Sequence, residues 1–600
     1  MRAGLDQIRM SIASHANHPE SNRGWALPLI LALLSSALCW GVIFVAVPPG
    51  AQDFPLGDDW AFNLGAFLFA GGQGIHYSQW ASMPQLGQWM WACPFIWSRG
   101  ESFIAVRLST ILLSWLGLAA FYDLLRRDGE LPARRAGFAT AAFALNPLFF
   151  LLQGTFMTDV PSLSFALMAL ALYTRALAGD RLSTLFAACA VAMVGAITRQ
   201  NTVAVPVAVG ILLLRSQLGY WLSAIGLRLP AVGQKPMADS RKPFTPWLFA
   251  ISAPIVTGVI THGWFIMHGD ILDMPLIQSP PGLALTPYLL IHTCGLSVLP
   301  LVALDPRPVS WQRFGIALAI MLGGAAYWSN YPWGYGFVLP YGGLFPYCTG
   351  MMGPYGAFAG QLVAGERDVL LTTNVRVVMS LLGCVGGAWL IDRTLDKVRS
   401  VSALGPIMLF TLLQVCLLLM VRSLYDRYLL VFLPGALFLA SSARGHPRPR
   451  WVRGFAMLLV FAAVSVGLMH DWLAWNAARW AIGRRAVAAG INPLDIEGGF
   501  EWNGWHAPRP RVKEGPLDKG FTLHFTDSFF PHVTGRYALT FSPLRGTVPL
   551  DWESYDQWLI PGRKDFLLVQ VPVSPRPTKP TAPASPASPK SEIGETRDSH

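Results

Sequence analysis

"WALPLILALLSSALCWGVIFVAV" (residues 25–47) contains no charged residue. At 1.5 Å of helical rise per residue it is long enough to cross a hydrocarbon core of about 30 Å. It is followed at 51–63 by "AQDFPLGDDWAFN", which places the adjacent carboxylates Asp58 and Asp59 at the mouth of the first apolar segment. Comparable apolar runs recur along most of the chain. Of its 600 residues 53% are hydrophobic and only 13% charged, against about 25% charged in soluble domains. Repeated runs of helical length specify a polytopic helical membrane protein and exclude a barrel. The first run is too long and too Trp-flanked for a signal peptide, and no small-residue cleavage site follows it, so it reads as a retained helix.

Windowed hydropathy places roughly thirteen spans, with ends uncertain by about four residues. Their cores are 25–47, 104–124, 135–152, 162–178, 182–197, 202–215, 247–267, 287–304, 314–328, 375–391, 402–421, 428–442 and 454–470. The basic residues sort by loop parity. One side holds Arg2, Arg9 and Arg23, then Arg126, Arg127, Arg134 and Arg135, and further clusters at 175–181, 215–242, 307–313, 393–399 and 444–453. The opposite loops between spans hold Arg99, Arg199, Arg367, Arg422 and Arg427. The net charge of +11 is therefore read as topology and not as nucleic-acid binding: residues 1–24 are expected in the cytoplasm and the C-terminus outside.

After the transmembrane region (25–470), "DWLAWNAARWAIGRRAVAAG" (471–490) reads as an interfacial or docked amphipathic helix. The strand-like runs "GFTLHFTD" and "DFLLVQVPV" extend this into a small α+β domain ending near 572. The Pro/Ala/Ser-rich tail 573–600 is expected to be disordered. The seven cysteines form no metal-type pair and read as small buried residues, with Cys93 and Cys348 the one candidate disulfide.

The outer loops gather the unusual residues: Asp58 and Asp59; Asp159 in "QGTFMTDVPSLSF"; Arg199 and Gln200 in "ITRQNTV"; His262, His268, Asp270 and Asp273; and Arg422, Asp426, Arg427 and Tyr428 in "VRSLYDRYLLVFLP". Each has an ordinary reading. Asp58 and Asp159 suit helix N-caps, with Pro161 in a first turn, and the arginines suit interfacial anchors. Caps do not require a doublet, however, and acids at membrane depth cost about 2.5–3.5 kcal/mol on insertion scales. Acids and guanidiniums on one side suit a phosphate-bearing ligand whose reaction develops charge. Arginine binds phosphate bidentately, and a carboxylate accepts a proton or holds a cation.

These pieces in this order, "GDDWAF", "RLSTILLSWLGLAAFY", "FMTDVPSLSF", "TRQN" and "DRYLLVFLPG", resemble the GT-C superfamily of integral-membrane glycosyltransferases. The likeness is greatest to the bacterial branch of protein O-mannosyltransferases and lipid A aminoarabinose transferases, and covers about residues 20–445. The resemblance implies a GT-C fold and an inverting transfer of a hexose or pentose from a polyprenyl-phosphate carrier. The acceptor would be a lipid, glycan or protein on the periplasmic face of a bacterial inner membrane. It implies catalytic roles for Asp58, Asp59 and Asp159. Arg199, Arg422 and Arg427 are candidates for the carrier phosphate, and Gln200, His268 and Tyr428 are further candidates. A divalent cation on Asp58 and Asp159 is the one cofactor left open. Where the aminoarabinose transferases carry a Glu-Lys pair, this chain has Ser82 and Met83. The aromatic segment 327–347 is expected to line the site. Two other classes compete. A lipid-sugar flippase would place charges near the midplane of two related halves, and no half-repeat is evident. A non-catalytic scaffold would not depend on Asp58, Asp59 or Asp159.

Overall fold

The computed structural model describes residues 26–48, 51–78, 80–178, 181–224, 244–268, 280–306, 308–329, 352–353, 355–357, 363–399, 405–419, 425–442, 449–507, 530 and 533–572. It is mostly helical, with several apolar helices and a small sheet near the C-terminus. Each expected span core overlaps helix in its described part, but the core 135–152 is broken at Leu145 and Asn146. By length and composition alone, five described helices could cross a membrane: Phe103–Arg127, Asp159–Ala178, Thr245–His268, Thr373–Lys397 and Trp451–Ala488. A sixth is added if the bent pair Ala133–Ala144 and Pro147–Gln153 counts as one span. The cores near 182–198, 200–215 and 406–418 form shorter apolar helices.

The bend in that pair, 64°, follows from the dipeptide Asn146-Pro147. Proline cannot donate the backbone hydrogen bond that would continue the first helix, but is well suited to open a new one. Asn146 caps the new helix, its Oδ1 accepting from the Leu148 amide at 3.1 Å. The short second helix delivers the chain to "GTFMTD" at the face where the site lies. Gly154 ends it, where a Cβ would run into the Trp40 ring and the Met469 methyl.

Two further helices, Asp59–Ala70 and Leu86–Arg99, lie in the first long loop. The last span does not stop near residue 470. Trp451–Ala488 is one helix of 38 residues, about 57 Å long at 1.5 Å per residue, so the expected separate amphipathic helix is its continuation. No proline or glycine stands between His470 and Ile482 to break it. In the extension Trp472, Trp475, Asn476, Arg479, Trp480, Ile482, Gly483 and Ala486 are buried, a helical-period stripe facing the C-terminal unit. That unit has strand order Ile496–Glu497, Tyr537–Thr540, Gly562–Gln570, Val548–Gln557, with the first pairing parallel and the others antiparallel. "DFLLVQVPV" supplies the central strand Gly562–Gln570, while "GFTLHFTD" and the tail 573–600 lie outside the described residues. Arg485 joins helix to sheet by contacting Asp551 at 2.9 Å and Glu553 at 2.5 Å.

Candidate functional site

The loop carrying the acidic doublet is held almost peptide by peptide. Arg107, buried near the start of the Phe103–Arg127 helix, donates to the carbonyls of Gln52 at 2.6 Å and of Phe54. Arg484 donates to the Asp53 carbonyl at 3.2 Å. Asp53 in turn accepts from the Ser102 hydroxyl at 3.1 Å and the Ile104 amide at 3.2 Å. Gly57, at φ +62°, turns the chain in a conformation open to glycine, and its amide donates to Glu501 Oε1 at 3.1 Å.

The two acids that follow part company. Asp59 is fully buried. Its Oδ1 accepts from the Leu56 amide at 2.5 Å and its Oδ2 from the Phe156 amide at 3.2 Å. It therefore ties the first loop to the "FMTD" loop. Burial pushes its carboxyl up to about 7, with nearby Glu501 adding to the rise and Arg107 and the two amides opposing it. Gln88 holds the other end of the same peptide unit's residue, its Nε2 donating to the Phe156 carbonyl at 2.7 Å.

Asp58 faces the opposite way and is partly exposed, its side chain 25% accessible. Arg427 Nη1 donates to its Oδ2 at 2.6 Å. Asp159 opens the Asp159–Ala178 helix and pairs with Arg199 Nη1, which also reaches the Thr158 hydroxyl at 3.5 Å. The Tyr428 ring joins the two pairs. The Arg199 guanidinium lies 5.4 Å and that of Arg427 5.6 Å from its centroid, and Tyr425 offers Arg427 a second ring at 5.0 Å. Met157 Sδ lies 3.8 Å from Arg427 Nη1. The Nε of Arg427 is buried with no hydrogen-bond partner among the described residues, so this guanidinium keeps donor capacity beyond its carboxylate.

Of the sequence candidates, Asp58, Asp159, Arg199, Arg427 and Tyr428 thus meet in one cluster, and Asp59 stands behind it. Gln200 is exposed at the start of a 3-10 turn. His268, exposed at the end of the Phe244–His268 helix, stacks on Trp264 with ring centroids 4.7 Å apart. Among the described contacts neither reaches the cluster. Arg422, Asp270, Asp273, Cys348 and the segment 330–347 lie outside the described residues. Cys93 is buried. The Ser82 hydroxyl lies 3.6 Å from the Met83 sulfur. Among the described residues no group of three or more His, Cys, Asp or Glu converges as a metal site. Both clustered carboxylates already face guanidiniums, an arrangement that fits a phosphate anion better than a divalent cation.

Sequence reasoning passed over Arg107, Gln88, Arg479 and Glu501. Arg107 was legible as a lone charge inside an apolar run. Gln88 acts 68 residues away on Phe156, Arg479 22 residues away on Glu501 and Glu501 444 residues away on Gly57, and none of these pairings leaves a local signal.

Helices of membrane-crossing length and an acid–arginine cluster on the face that carries the C-terminal unit define a polytopic membrane protein with a site suited to an anionic ligand. Residues 83–232 match the family described as dolichyl-phosphate-mannose-protein mannosyltransferase, and the resemblance to GT-C glycosyltransferases stands. The matched stretch includes Gln88, Arg107, Asp159 and Arg199. No curated protein matches the chain. Among solved structures, ArnT from Cupriavidus metallidurans bound to undecaprenyl phosphate is similar at 13% identity, covering 92% of this chain and 99% of that one, with a TM-score of 0.36. The archaeal oligosaccharyltransferase AglB from Archaeoglobus fulgidus, in complex with an inhibitory peptide and a dolichol-phosphate, is similar at 11% identity. That likeness covers 86% of this chain and 64% of AglB, with a TM-score of 0.40. At these scores neither likeness bears on the site, which stands on its own geometry.

Proposed function

We propose that the chain is a membrane glycosyltransferase that moves a sugar from a polyprenyl-phosphate carrier to a hydroxyl-bearing lipid, glycan or protein acceptor, on the periplasmic face of a bacterial inner membrane. The observation that carries this reading is the paired arrangement of Asp58 with Arg427 and Asp159 with Arg199 around Tyr428. The match of residues 83–232 to a mannosyltransferase family supports it.

In this reading the carrier phosphate docks against Arg199 and Arg427, using donors that the carboxylates leave unspent. As the phosphate draws on Arg427, Asp58 is released from its ion pair and becomes the free carboxylate nearest the reacting bond. The acceptor hydroxyl attacks the anomeric carbon, and Asp58 takes its proton. The bond from that carbon to the phosphate oxygen breaks, and the polyprenyl phosphate leaves with the electron pair, its charge met by the two guanidiniums. One displacement inverts the anomeric centre. Base assistance of this kind contributes about 10²–10⁴-fold, and fixed donors at the departing charge add electrostatic stabilisation. No step is routed through a metal, and EDTA is expected to leave turnover unchanged.

Purified protein in nanodiscs, offered labelled polyprenyl-phosphate sugars or nucleotide sugars, tests the reading. Transfer from the lipid-linked donor alone is expected. Turnover of a nucleotide sugar without a carrier would reject it. Mass spectrometry of envelope glycolipids and glycoproteins from a deletion strain identifies the acceptor.

A further inference from the structure

The C-terminal unit reaches into the site through one carboxylate. Glu501, on the short Phe500–His506 helix, is 4% exposed. Its Oε2 accepts from Arg479 Nη1 at 3.0 Å and its Oε1 from the Gly57 amide at 3.1 Å. Arg479, wholly buried on the extension of the last span, also donates to Asn476 Oδ1 at 2.6 Å and to the Gly498 carbonyl at 3.2 Å. The strut is thus itself braced at three points. Gly57 is the residue before Asp58, and its positive φ sets the direction in which the chain enters Asp58.

Resting on the proposed function, we infer that Glu501, held by Arg479, is a positioning residue: it sets the Gly57 turn so that Asp58 projects toward Arg427 rather than into the core with Asp59. The pair is costly if it serves only as an anchor. Buried ion pairs are often replaceable by apolar residues at no loss of stability, whereas a turn one residue from a reacting carboxylate needs its orientation fixed. Misplacement by about 1 Å can cost on the order of 100-fold in rate. The C-terminal unit is on this account part of the site and not an appendage.

Two double variants isolate the contact. Arg479→Met with Glu501→Gln removes the buried charges but keeps an oxygen for the Gly57 amide. Arg479→Met with Glu501→Met removes the charges and the oxygen together. In the full-length protein, hydrogen exchange of the Gly57 amide is expected to stay near wild type in the first and to rise about 10-fold in the second, the worth of one lost hydrogen bond. With labelled polyprenyl-phosphate sugar, kcat should fall about 10–100-fold in the second alone, with KM for the donor little changed. Equal exchange or equal kcat in the two variants overturns the inference. Should the second fail to fold, Glu501→Asp keeps the charge on Arg479 but shortens the reach to Gly57; it is expected to speed exchange at Gly57 and lower kcat, and wild-type values in it overturn the inference. If the wild type itself transfers nothing, the functional reading fails, while exchange at Gly57 still decides whether Glu501 sets the turn.

Discussion

Asp58 and Arg427 are 369 residues apart in sequence and 2.6 Å apart in space. Adjacent Asp59 turns away and binds the backbone of the next loop instead. The doublet thus divides its work: one carboxylate builds the site and the other faces into it.

Arg199 and Arg427 are expected to hold the carrier phosphate as planar forks, a geometry lysine lacks. Arg199→Lys and Arg427→Lys should each raise the donor KM about 10-fold although the charge is kept, because the bidentate contact is lost. Donor titrations check this. Unchanged donor affinity in both variants would make these residues membrane anchors.

The Asp59 carboxyl, near 3.8 when unfolded and pushed up to about 7 by burial in the fold, gives stability a pH dependence of definite sign. Between these values the folded chain binds more protons than the unfolded one. This contribution is complete below about 4 and is lost as pH rises through about 7. The thermal midpoint of the solubilised wild type should therefore fall more steeply from pH 5 to 8 than that of Asp59→Asn. Asp59→Asn should also be less stable throughout, since an amide offers one acceptor to the two amides of Leu56 and Phe156. A wild-type profile no steeper than the variant's would remove Asp59 as the source.

Topology follows from the distribution of arginine and lysine. A reporter fused after Arg453 should lie in the cytoplasm, and one fused near Gly520 in the periplasm. The same compartment for both would contradict the expected sidedness.

Much of this was legible in the sequence because hydropathy and local chemistry act over short distances. The apolar runs mark the helices, and "GDDW", "FMTD", "TRQN" and "DRY" carry the residues that meet; the expected span 135–152, however, runs through Asn146-Pro147, where the helix breaks by 64°. What stayed hidden is tertiary. Nothing local distinguishes Asp58 from Asp59; that depends on which one finds the Phe156 amide 97 residues away. The extension of the last span beyond residue 470 looked like a separate amphipathic helix because its polarity changes there. A change of polarity need not end a helix, and Trp451–Ala488 runs through it unbroken. Glu501 resembles any surface acid until Arg479 and Gly57 are seen beside it.

The most direct test is the single-turnover rate of Asp58→Asn with saturating polyprenyl-phosphate sugar, at matched expression and with donor binding measured in parallel. Asparagine keeps the volume of the side chain and cannot accept the proton. The account predicts that the variant binds donor at least as well as wild type but transfers the sugar about 10²–10⁴-fold more slowly, while Asp59→Asn retains part of its activity. A wild-type rate in Asp58→Asn would contradict it.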